Sequence, residues 1–244
     1  MRGTGPWVIF VAGAGPWREI DPATTATAEL LADRGFTTVV YDRVGRGESS
    51  ADAPISLNRE LAAITALVEA VGGSTVLCGH SSGCSLSLFA AANGVPVTGL
   101  ALWEAPLAPP GSGARELADD LRVLIAAGER GRALELYMRD MPPEILEIVR
   151  AIPAMINQAD SLQPDADSLA WAESAPHQPA KRAGGSLAAP VVPSGPHLPA
   201  GIPRPSRCSG QVRCFRRSSP IGGREDTLEE FICGTRSGWI PPLG

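Results

Sequence analysis

A serine between two glycines is the feature of this sequence best suited to chemistry. The segment Gly-His-Ser-Ser-Gly at 79–83 has the pattern G-x-S-x-G, with Ser81 at its centre. It follows the apolar run 74–78 and precedes small and apolar residues, as expected for a strand that turns sharply into a helix. Such a turn presents a hydroxyl above the sheet, and the two glycines leave room that a Cβ would fill. The pattern predicts that Ser81 is a catalytic nucleophile; the alternative is an ordinary strand-to-helix turn whose serines cap the helix.

The start of the following helix is suited to stabilise negative charge. Free N–H groups and the helix dipole favour an anion there, so the Ser82 N–H is predicted to face the oxyanion formed when Ser81 attacks a carbonyl. A second donor is expected from the glycine-rich loop 11–15 after the first predicted strand, and we predict that it is the Ala14 N–H.

The same loop permits a different interpretation, a dinucleotide-binding site. Gly13 and Gly15 follow a strand, and Asp42 ends the next strand, where a ribose-binding acid would stand. However, Arg18 occupies the position of the third glycine, and Pro16 lacks the N–H that a pyrophosphate would use. The sequence therefore favours a site without a cofactor.

Strands and helices that alternate along the first hundred residues must position these groups. Short apolar runs are separated by longer amphipathic runs, a pattern typical of βαβ units and a parallel sheet. The predicted strands are residues 7–12, 37–41, 74–78 and 97–103, and the predicted helices are 22–34, 57–71 and 82–92. Only helical patterns continue after Pro106, at 114–127, 130–139, 142–159 and 168–172.

The composition is that of a globular protein. The 244 residues are 44% apolar and 19% charged, and 21 basic and 26 acidic side chains give a net charge of −5. This charge balance argues against a nucleic-acid-binding protein. No apolar run approaches the roughly 20 residues that span a membrane, which argues against a membrane-spanning protein. Five cysteines without CxxC spacing indicate neither a metal site nor a disulfide framework. We expect a cytoplasmic protein.

The end of the chain differs sharply from the rest. Residues 176–244 contain 11 of the 23 prolines and 10 of the 27 glycines, with nine basic and four acidic side chains. Prolines recur every few positions over 190–205, which excludes a central strand or a helix there. We predict a disordered low-complexity tail that leaves the strand 97–103 at an uncovered sheet edge, and therefore self-association through that edge. The composition also suggests a frame-shifted translation of a GC-rich coding region.

Four segments together resemble the α/β-hydrolase family. They stand in the family's order at 8–15, 42–49, 79–83 and 102–106, with the sequences Val-Ile-Phe-Val-Ala-Gly-Ala-Gly, Asp-Arg-Val-Gly-Arg-Gly-Glu-Ser, Gly-His-Ser-Ser-Gly and Leu-Trp-Glu-Ala-Pro. They are similar to the family's oxyanion loop, its D-x-x-G-x-G-x-S loop, its nucleophile elbow and the end of the strand after it. The resemblance covers residues 4 to about 172, without the strand hairpin with which the family begins.

The resemblance implies a partial α/β-hydrolase fold, with a mostly parallel sheet, flanking helices and three regions. Residues 1–112 would form the core, 113–172 a helical cap over the substrate pocket, and 173–244 the tail. The family takes its catalytic acid and histidine from two strands after the cap, and we predict no such strands in this tail. Glu104 is then a candidate acid or, alternatively, a structural anchor for the cap. His197, among the prolines, is the candidate base.

Two hypotheses follow from these residues. The first is a serine hydrolase of small esters or related acyl compounds, in which Ser81 attacks and the N–H groups of Ala14 and Ser82 hold the oxyanion. The second is an inactive remnant, truncated or frame-shifted, that acts at most as a ligand-binding scaffold. Ester turnover that depends on Ser81 distinguishes them.

Overall fold

A parallel sheet with helices on its flanks forms the first part of the molecule. The computed structural model describes residues 1–106 and 110–174, together with the backbone of 187–188 and 213–217. The first four strands are Trp7–Val11 (β1), Thr37–Val40 (β2), Thr75–His80 (β3) and Val97–Trp103 (β4). The helices between them are Pro22–Asp33 (α1), Leu57–Ala70 (α2) and Ser82–Ala92 (α3). The predicted alternation is confirmed, and no boundary differs by more than two residues.

The order of the strands brings the predicted site residues to one edge of the sheet. β1 pairs in parallel with β2 on one side and with β3 on the other, and β3 pairs in parallel with β4. Because these four strands run in the same direction, the loops that follow them leave from the same edge. In the register of the sheet, Val11 lies beside Gly79 and His80 lies beside Trp103. The loop after β1, the elbow and the end of β4 are therefore neighbours.

Local sequence signals account for the first two helices. Asp21 caps α1, since its carboxylate accepts a hydrogen bond from the Thr24 N–H at 3.0 Å, and Pro22 occupies the first helical position. Ser56 caps α2 by accepting a hydrogen bond from the Arg59 N–H at 3.3 Å. In contrast, α3 begins without a side-chain cap, which leaves N–H groups at its amino end.

An apolar core lies between the sheet and the helices α2 and α3. It includes Ile9 and Val11 of β1, Leu77 of β3, Leu102 of β4 and Ile64 of α2, all of them buried. Such apolar strands are expected where helices cover a parallel sheet. This packing fixes the strand ends from which the site loops depart.

The tail contributes two strands that were not predicted. Arg213–Arg217 (β6) pairs antiparallel with β4 along residues 99–102, and Leu187–Ala188 (β5) pairs antiparallel with β6. The predictions that the tail has no strand and that β4 is an uncovered edge are wrong for these residues. The interval 206–219 contains no proline, so each residue of β6 has an N–H to donate to the ladder. β6 covers β4 along residues 99–102, self-association stays a prediction, and the predicted disorder concerns residues outside the described part of the chain.

A second group of helices follows β4. They are Ala114–Ala126 (α4), Arg130–Tyr137 (α5), Pro143–Arg150 (α6), Pro153–Asn157 (α7) and Gln163–Ser174 (α8). The single helix predicted over 142–159 is divided because Pro153 has no N–H to donate and begins a new helix. The short helix predicted at 168–172 is part of the longer α8. Among the described residues, no helix is both long enough and apolar enough to cross a membrane.

These later helices have an apolar cluster of their own. Leu121, Leu134 and Leu162 are buried in it, and Trp17 from the loop after β1 packs into it as well. Ala14 also packs against this cluster. The helices α4 to α8 therefore lie next to the loop that was predicted to carry an oxyanion donor.

Candidate active site

Ser81 occupies a sharp turn between β3 and α3. Its φ of 52° and ψ of −128° are rarely adopted by L-residues and cost about 1–3 kcal/mol. Its N–H donates to the Trp103 carbonyl at 3.0 Å, and its own carbonyl accepts from the Cys84 N–H at 2.9 Å. The structure thus contains the strand-to-helix elbow that the sequence predicted at 79–83.

Close packing explains the two glycines of the elbow. A Cβ on Gly79 would lie 2.6 Å from the Gly83 carbonyl oxygen and 2.8 Å from the backbone of Cys84. A Cβ on Gly83 would overlap the carbonyl oxygen of Val11, at the end of β1. These obstacles are backbone atoms, so neither glycine can be replaced without moving the chain. Gly83 therefore allows α3 to approach the start of the loop after β1.

The loop after β1 meets the elbow at Gly13. A Cβ on Gly13 would lie 3.0 Å from Ser81 Cβ and 3.6 Å from Ser81 Oγ. Ala14, one predicted oxyanion donor, is the next residue of this loop. Ser82, the other, is the first residue of α3, so its N–H has no acceptor within the helix. Both predicted donors thus lie in segments that adjoin Ser81, and their binding of an oxyanion stays a prediction.

Four fully buried charged side chains form an ionic cluster beside this loop: Arg43, Arg46, Glu60 and Asp165. Arg43 donates to Glu60 Oε1 from Nε at 3.0 Å and from Nη2 at 2.8 Å. Arg43 Nη1 donates to Asp165 Oδ1 at 2.6 Å, and Arg46 Nη2 donates to Asp165 Oδ2. Two positive charges thus face two negative charges, and such pairing is what permits charged groups to stay buried.

The cluster binds the loop after β1 through its carbonyl groups. Arg43 Nη1 donates to the carbonyl oxygens of Ala12 at 3.0 Å and Gly13 at 3.3 Å. Arg46 Nη1 donates to the Gly13 carbonyl at 2.6 Å. Arg46 also donates to Ser161, from Nε to Oγ at 2.9 Å and from Nη2 to the carbonyl at 3.1 Å. The two arginines therefore connect the loop beside Ser81 to the helices after β4.

Asp165 also binds Ser82, the residue after Ser81. The Ser82 hydroxyl donates to Asp165 Oδ1 at 2.7 Å, and Tyr137 interacts with Ser82 from the other group of helices. Burial alone would raise the pKa of Asp165, but the charges of Arg43 and Arg46 outweigh it and hold that pKa below its usual value. Burial and the charge of Asp165 raise the pKa of Tyr137, so its hydroxyl stays protonated. An ionised carboxylate thus holds the Ser82 side chain.

Asp42, which a dinucleotide site would use to bind a ribose, is already engaged in hydrogen bonds to neighbouring loops. Its carboxylate accepts from the Arg18 N–H at 2.8 Å and the Glu48 N–H at 3.0 Å, and it pairs with the Arg18 side chain. A Cβ on Gly15 would meet the Met155 side chain, so α7 covers a glycine that would have to approach a pyrophosphate. These contacts favour the oxyanion-loop interpretation.

Glu104, the candidate acid, pairs with a histidine at the end of the neighbouring strand. Its Oε2 lies 3.2 Å from His80 Nε2, and the centroid of the His80 ring lies 5.2 Å from that of Trp103. Glu104 also has a positive φ, of 53°. Within residues 1–106 and 110–174, the hydrogen bond of this carboxylate goes to His80. The roles proposed for Glu104, catalytic acid or structural anchor for the cap, stay predictions.

The contacts of the described residues do not identify the partners that would activate Ser81. There, the Ser81 hydroxyl makes no hydrogen bond, either as a cap of α3 or to another side chain. His197, the candidate base, and His177 lie outside the described residues. The catalytic acid and base accordingly stay predictions.

The buried ionic cluster was not predicted from the sequence. Arg43 and Arg46 stand at variable positions of the D-x-x-G-x-G-x-S segment, while Glu60 and Asp165 stand in ordinary helical patterns. The sequence feature that could have indicated the cluster is the pair of arginines directly after a buried strand, because an arginine that cannot reach solvent needs an anionic partner. Arg43 finds its partners 17 and 122 positions away, which no local pattern reveals.

The elbow, the loop beside it and the parallel sheet together define a protein of the α/β-hydrolase class. A family model described as the alpha/beta hydrolase family matches residues 8–221. The chain therefore belongs to the alpha/beta hydrolase family, and this membership supports a hydrolase. No curated protein matches the chain.

Solved structures resemble the chain over more than two thirds of its length. An alpha/beta hydrolase from Sphaerobacter thermophilus DSM 20745 is 32% identical, with a TM-score of 0.56, over 72% of this chain and 70% of that chain. An alpha/beta hydrolase fold protein from Burkholderia ambifaria is 22% identical, with a TM-score of 0.48, over 71% and 69%. A monoacylglycerol lipase from Paleococcus ferrophilus is 19% identical, with a TM-score of 0.46, over 70% and 69%. The first of these supports the family assignment.

Proposed function

We propose that this protein is a serine hydrolase of small esters or related acyl compounds, with Ser81 as its nucleophile. The observation that carries the proposal is the strained backbone of Ser81, since such strain persists mainly where function requires it. In the proposed reaction, Ser81 Oγ attacks the carbonyl carbon, and the N–H groups of Ala14 and Ser82 bind the oxyanion. The alcohol then leaves with a proton, and water releases the carboxylic acid from the acyl-enzyme.

The attack requires a base that accepts the Ser81 proton and passes it to the leaving alcohol. We propose His197 for this role, because His80 is engaged by Glu104 at 3.2 Å. The same pairing argues against Glu104 as the acid that orients His197. The small-molecule substrate implied by the family resemblance and the cytoplasmic location expected from the sequence belong to this proposal.

We also propose that the helices over 113–172 form the roof of the substrate pocket. The support is the contact between the loop after β1 and the apolar cluster of these helices, in which Met138 and Met155 lie close to Gly15. A pocket wall of this kind favours an apolar acyl or alcohol group over a charged one.

A second candidate function is a scaffold that binds an apolar ligand without turnover, as a truncated or frame-shifted remnant would. It is favoured by the lack of a hydrogen-bonded base at the Ser81 hydroxyl within the described residues. Without such a base, Ser81 would keep the weak nucleophilicity of an ordinary alcohol. Translation of the other two reading frames beyond codon 172 tests the remnant directly, because a shifted gene would encode a strand, an Asp and a later His there.

Ester turnover separates the two functions. The full chain is assayed with p-nitrophenyl acetate and p-nitrophenyl butyrate, beside Ser81→Ala and the matched control Ser50→Ala, whose side chain is exposed. The hydrolase requires that Ser50→Ala keeps the wild-type rate and that Ser81→Ala falls to the uncatalysed rate. Equal rates for the wild type and Ser81→Ala would establish the scaffold instead.

The proposed base has its own control. His197→Ala and His177→Ala remove histidines from the same region of the sequence, so both change its composition equally. Loss of turnover in His197→Ala alone supports His197 as the base. Retained turnover in that variant excludes it.

A further inference from the structure

The loop after β1 is held from one side by two guanidinium groups. The Gly13 carbonyl oxygen accepts from Arg46 Nη1 at 2.6 Å and from Arg43 Nη1 at 3.3 Å, while the Ala12 carbonyl accepts from Arg43 at 3.0 Å. Both arginines are fully buried and bind one carboxylate, that of Asp165 on α8. The orientation of the Gly13 carbonyl is therefore set by groups from outside its own loop.

A peptide group transmits this orientation to the next residue. The Gly13 carbonyl and the Ala14 N–H belong to one planar trans peptide, so they point in opposite directions. A carbonyl directed at the arginines requires an N–H directed away from them. Since Gly13 also lies against Ser81, the direction of this peptide decides where the Ala14 N–H can donate.

We propose that Arg43 and Arg46 are positioning residues for the oxyanion donor Ala14, with Asp165 as the brace that holds both guanidiniums. The proposal rests on the proposed function, which makes Ser81 the nucleophile and Ala14 a donor. The arginines do not touch the substrate. They hold the Gly13–Ala14 peptide in the orientation in which the Ala14 N–H can donate to the oxyanion.

Two further features of the cluster support this role. A charged donor on a carbonyl polarises the peptide and strengthens the hydrogen bond that its N–H donates, by about 10–30% per bond in a chain. Asp165 also binds the Ser82 hydroxyl at 2.7 Å, so the same carboxylate holds the residue of the second predicted donor. One buried anion thus braces both halves of the oxyanion site.

The alternative is that the cluster only stabilises the fold, and a charge-balanced variant separates the two roles. Arg46→Met combined with Asp165→Asn removes one charge of each sign and leaves the Arg43–Glu60 pair intact, with its contact at 2.8 Å. Arg122→Met combined with Asp167→Asn is the matched control, because it removes the same types of charge between α4 and α8 at an exposed pair.

The direct measurement is the amide resonance of Ala14 in the ¹H–¹⁵N spectrum of the full chain. We expect this resonance to move in Arg46→Met/Asp165→Asn and to stay in place in Arg122→Met/Asp167→Asn. With p-nitrophenyl esters we expect kcat to fall about 10²-fold in the first variant, with little change in KM, as when an oxyanion donor is lost. Arg46→Lys keeps the charge without the planar fork, so we expect an intermediate change in both quantities.

Each outcome decides the proposal. A folded Arg46→Met/Asp165→Asn protein with an unmoved Ala14 resonance, or with wild-type kcat, would overturn it. If that variant does not fold, Arg46→Lys decides by the same two measurements. If the wild type turns over no ester, the proposed function fails, yet the Ala14 resonance still shows whether the arginines orient the peptide.

Discussion

The substitution Asp165→Asn tests the buried cluster most directly. Asp165 is fully buried, accepts from Arg43 at 2.6 Å, from Arg46 and from Ser82 at 2.7 Å, and shares Arg43 with Glu60. Asparagine leaves two guanidiniums facing a single carboxylate. Removal of one partner from a buried ion pair costs about 3–5 kcal/mol, because the remaining charge is uncompensated. Since a domain has an unfolding free energy of about 5–15 kcal/mol, the loss is a large fraction of it.

Urea unfolding followed by far-ultraviolet circular dichroism measures this loss. At a typical slope of about 2 kcal/mol per molar urea, the expected decrease of the midpoint is about 2 M. Asp167→Asn, two residues along α8, is the matched control, because Asp167 pairs with the exposed Arg122 at 2.9 Å. Exposed pairs contribute about 0.2–1 kcal/mol, so the control midpoint should fall by less than about 0.5 M. Equal shifts for the two variants, or a loss below about 1 kcal/mol at Asp165, would refute the argument from uncompensated charge.

Three further predictions follow from burial and close contacts. Gly83→Ala should lower the free energy of unfolding by about 3 kcal/mol, because the added Cβ would overlap the Val11 carbonyl. The control Gly131→Ala should change it by less than about 1 kcal/mol, because an added Cβ there would meet no neighbouring side chain or loop within 4 Å. Equal thermal melting temperatures for the two variants would contradict this. Because the pKa of Asp165 is lower in the folded protein than in the unfolded chain, where it is about 4, its ionised carboxylate stabilises the fold fully above that unfolded pKa. This stabilisation is lost as the pH falls through the folded pKa. Urea midpoints below about pH 4 should therefore decline more steeply in the wild type than in Asp165→Asn. Burial raises the pKa of Cys84 to about 12, so iodoacetamide at about pH 8 should alkylate this residue only in urea, and rapid labelling of the native protein would disprove its burial.

Patterns within a few residues were sufficient to predict the first half of the fold. The strands β1 to β4 appeared as short apolar runs, and α1 was marked by its cap Asp21 and by Pro22. The elbow was predicted from its local pattern as well, although only Gly79 is explained by contacts with the adjoining helix, whereas Gly83 is explained by the distant Val11 carbonyl. Apolar spacing, helix caps and glycines act over one or two turns of chain, so the sequence displays them directly.

The later part of the chain was predicted less well. The pattern over 142–159 was helical throughout, and only the position of Pro153 shows why two helices form there. β6 was missed because its neighbours in sequence are rich in proline, while its pairing depends on β4, more than one hundred positions earlier. A strand of five residues has little local signal, since its stability comes from the ladder that it joins.

The sequence alone determined that Ser81 stands on a sharp turn, because the pattern G-x-S-x-G between an apolar run and a helical run indicates a strand-to-helix elbow. Only the tertiary structure decided what surrounds that turn. The pairing of Arg43 and Arg46 with Asp165, and of Glu104 with His80, joins residues that are 24 to 122 positions apart. Packing of the fold brings the partners of a buried charge within hydrogen-bond distance, and the local sequence pattern does not show which residues these partners are.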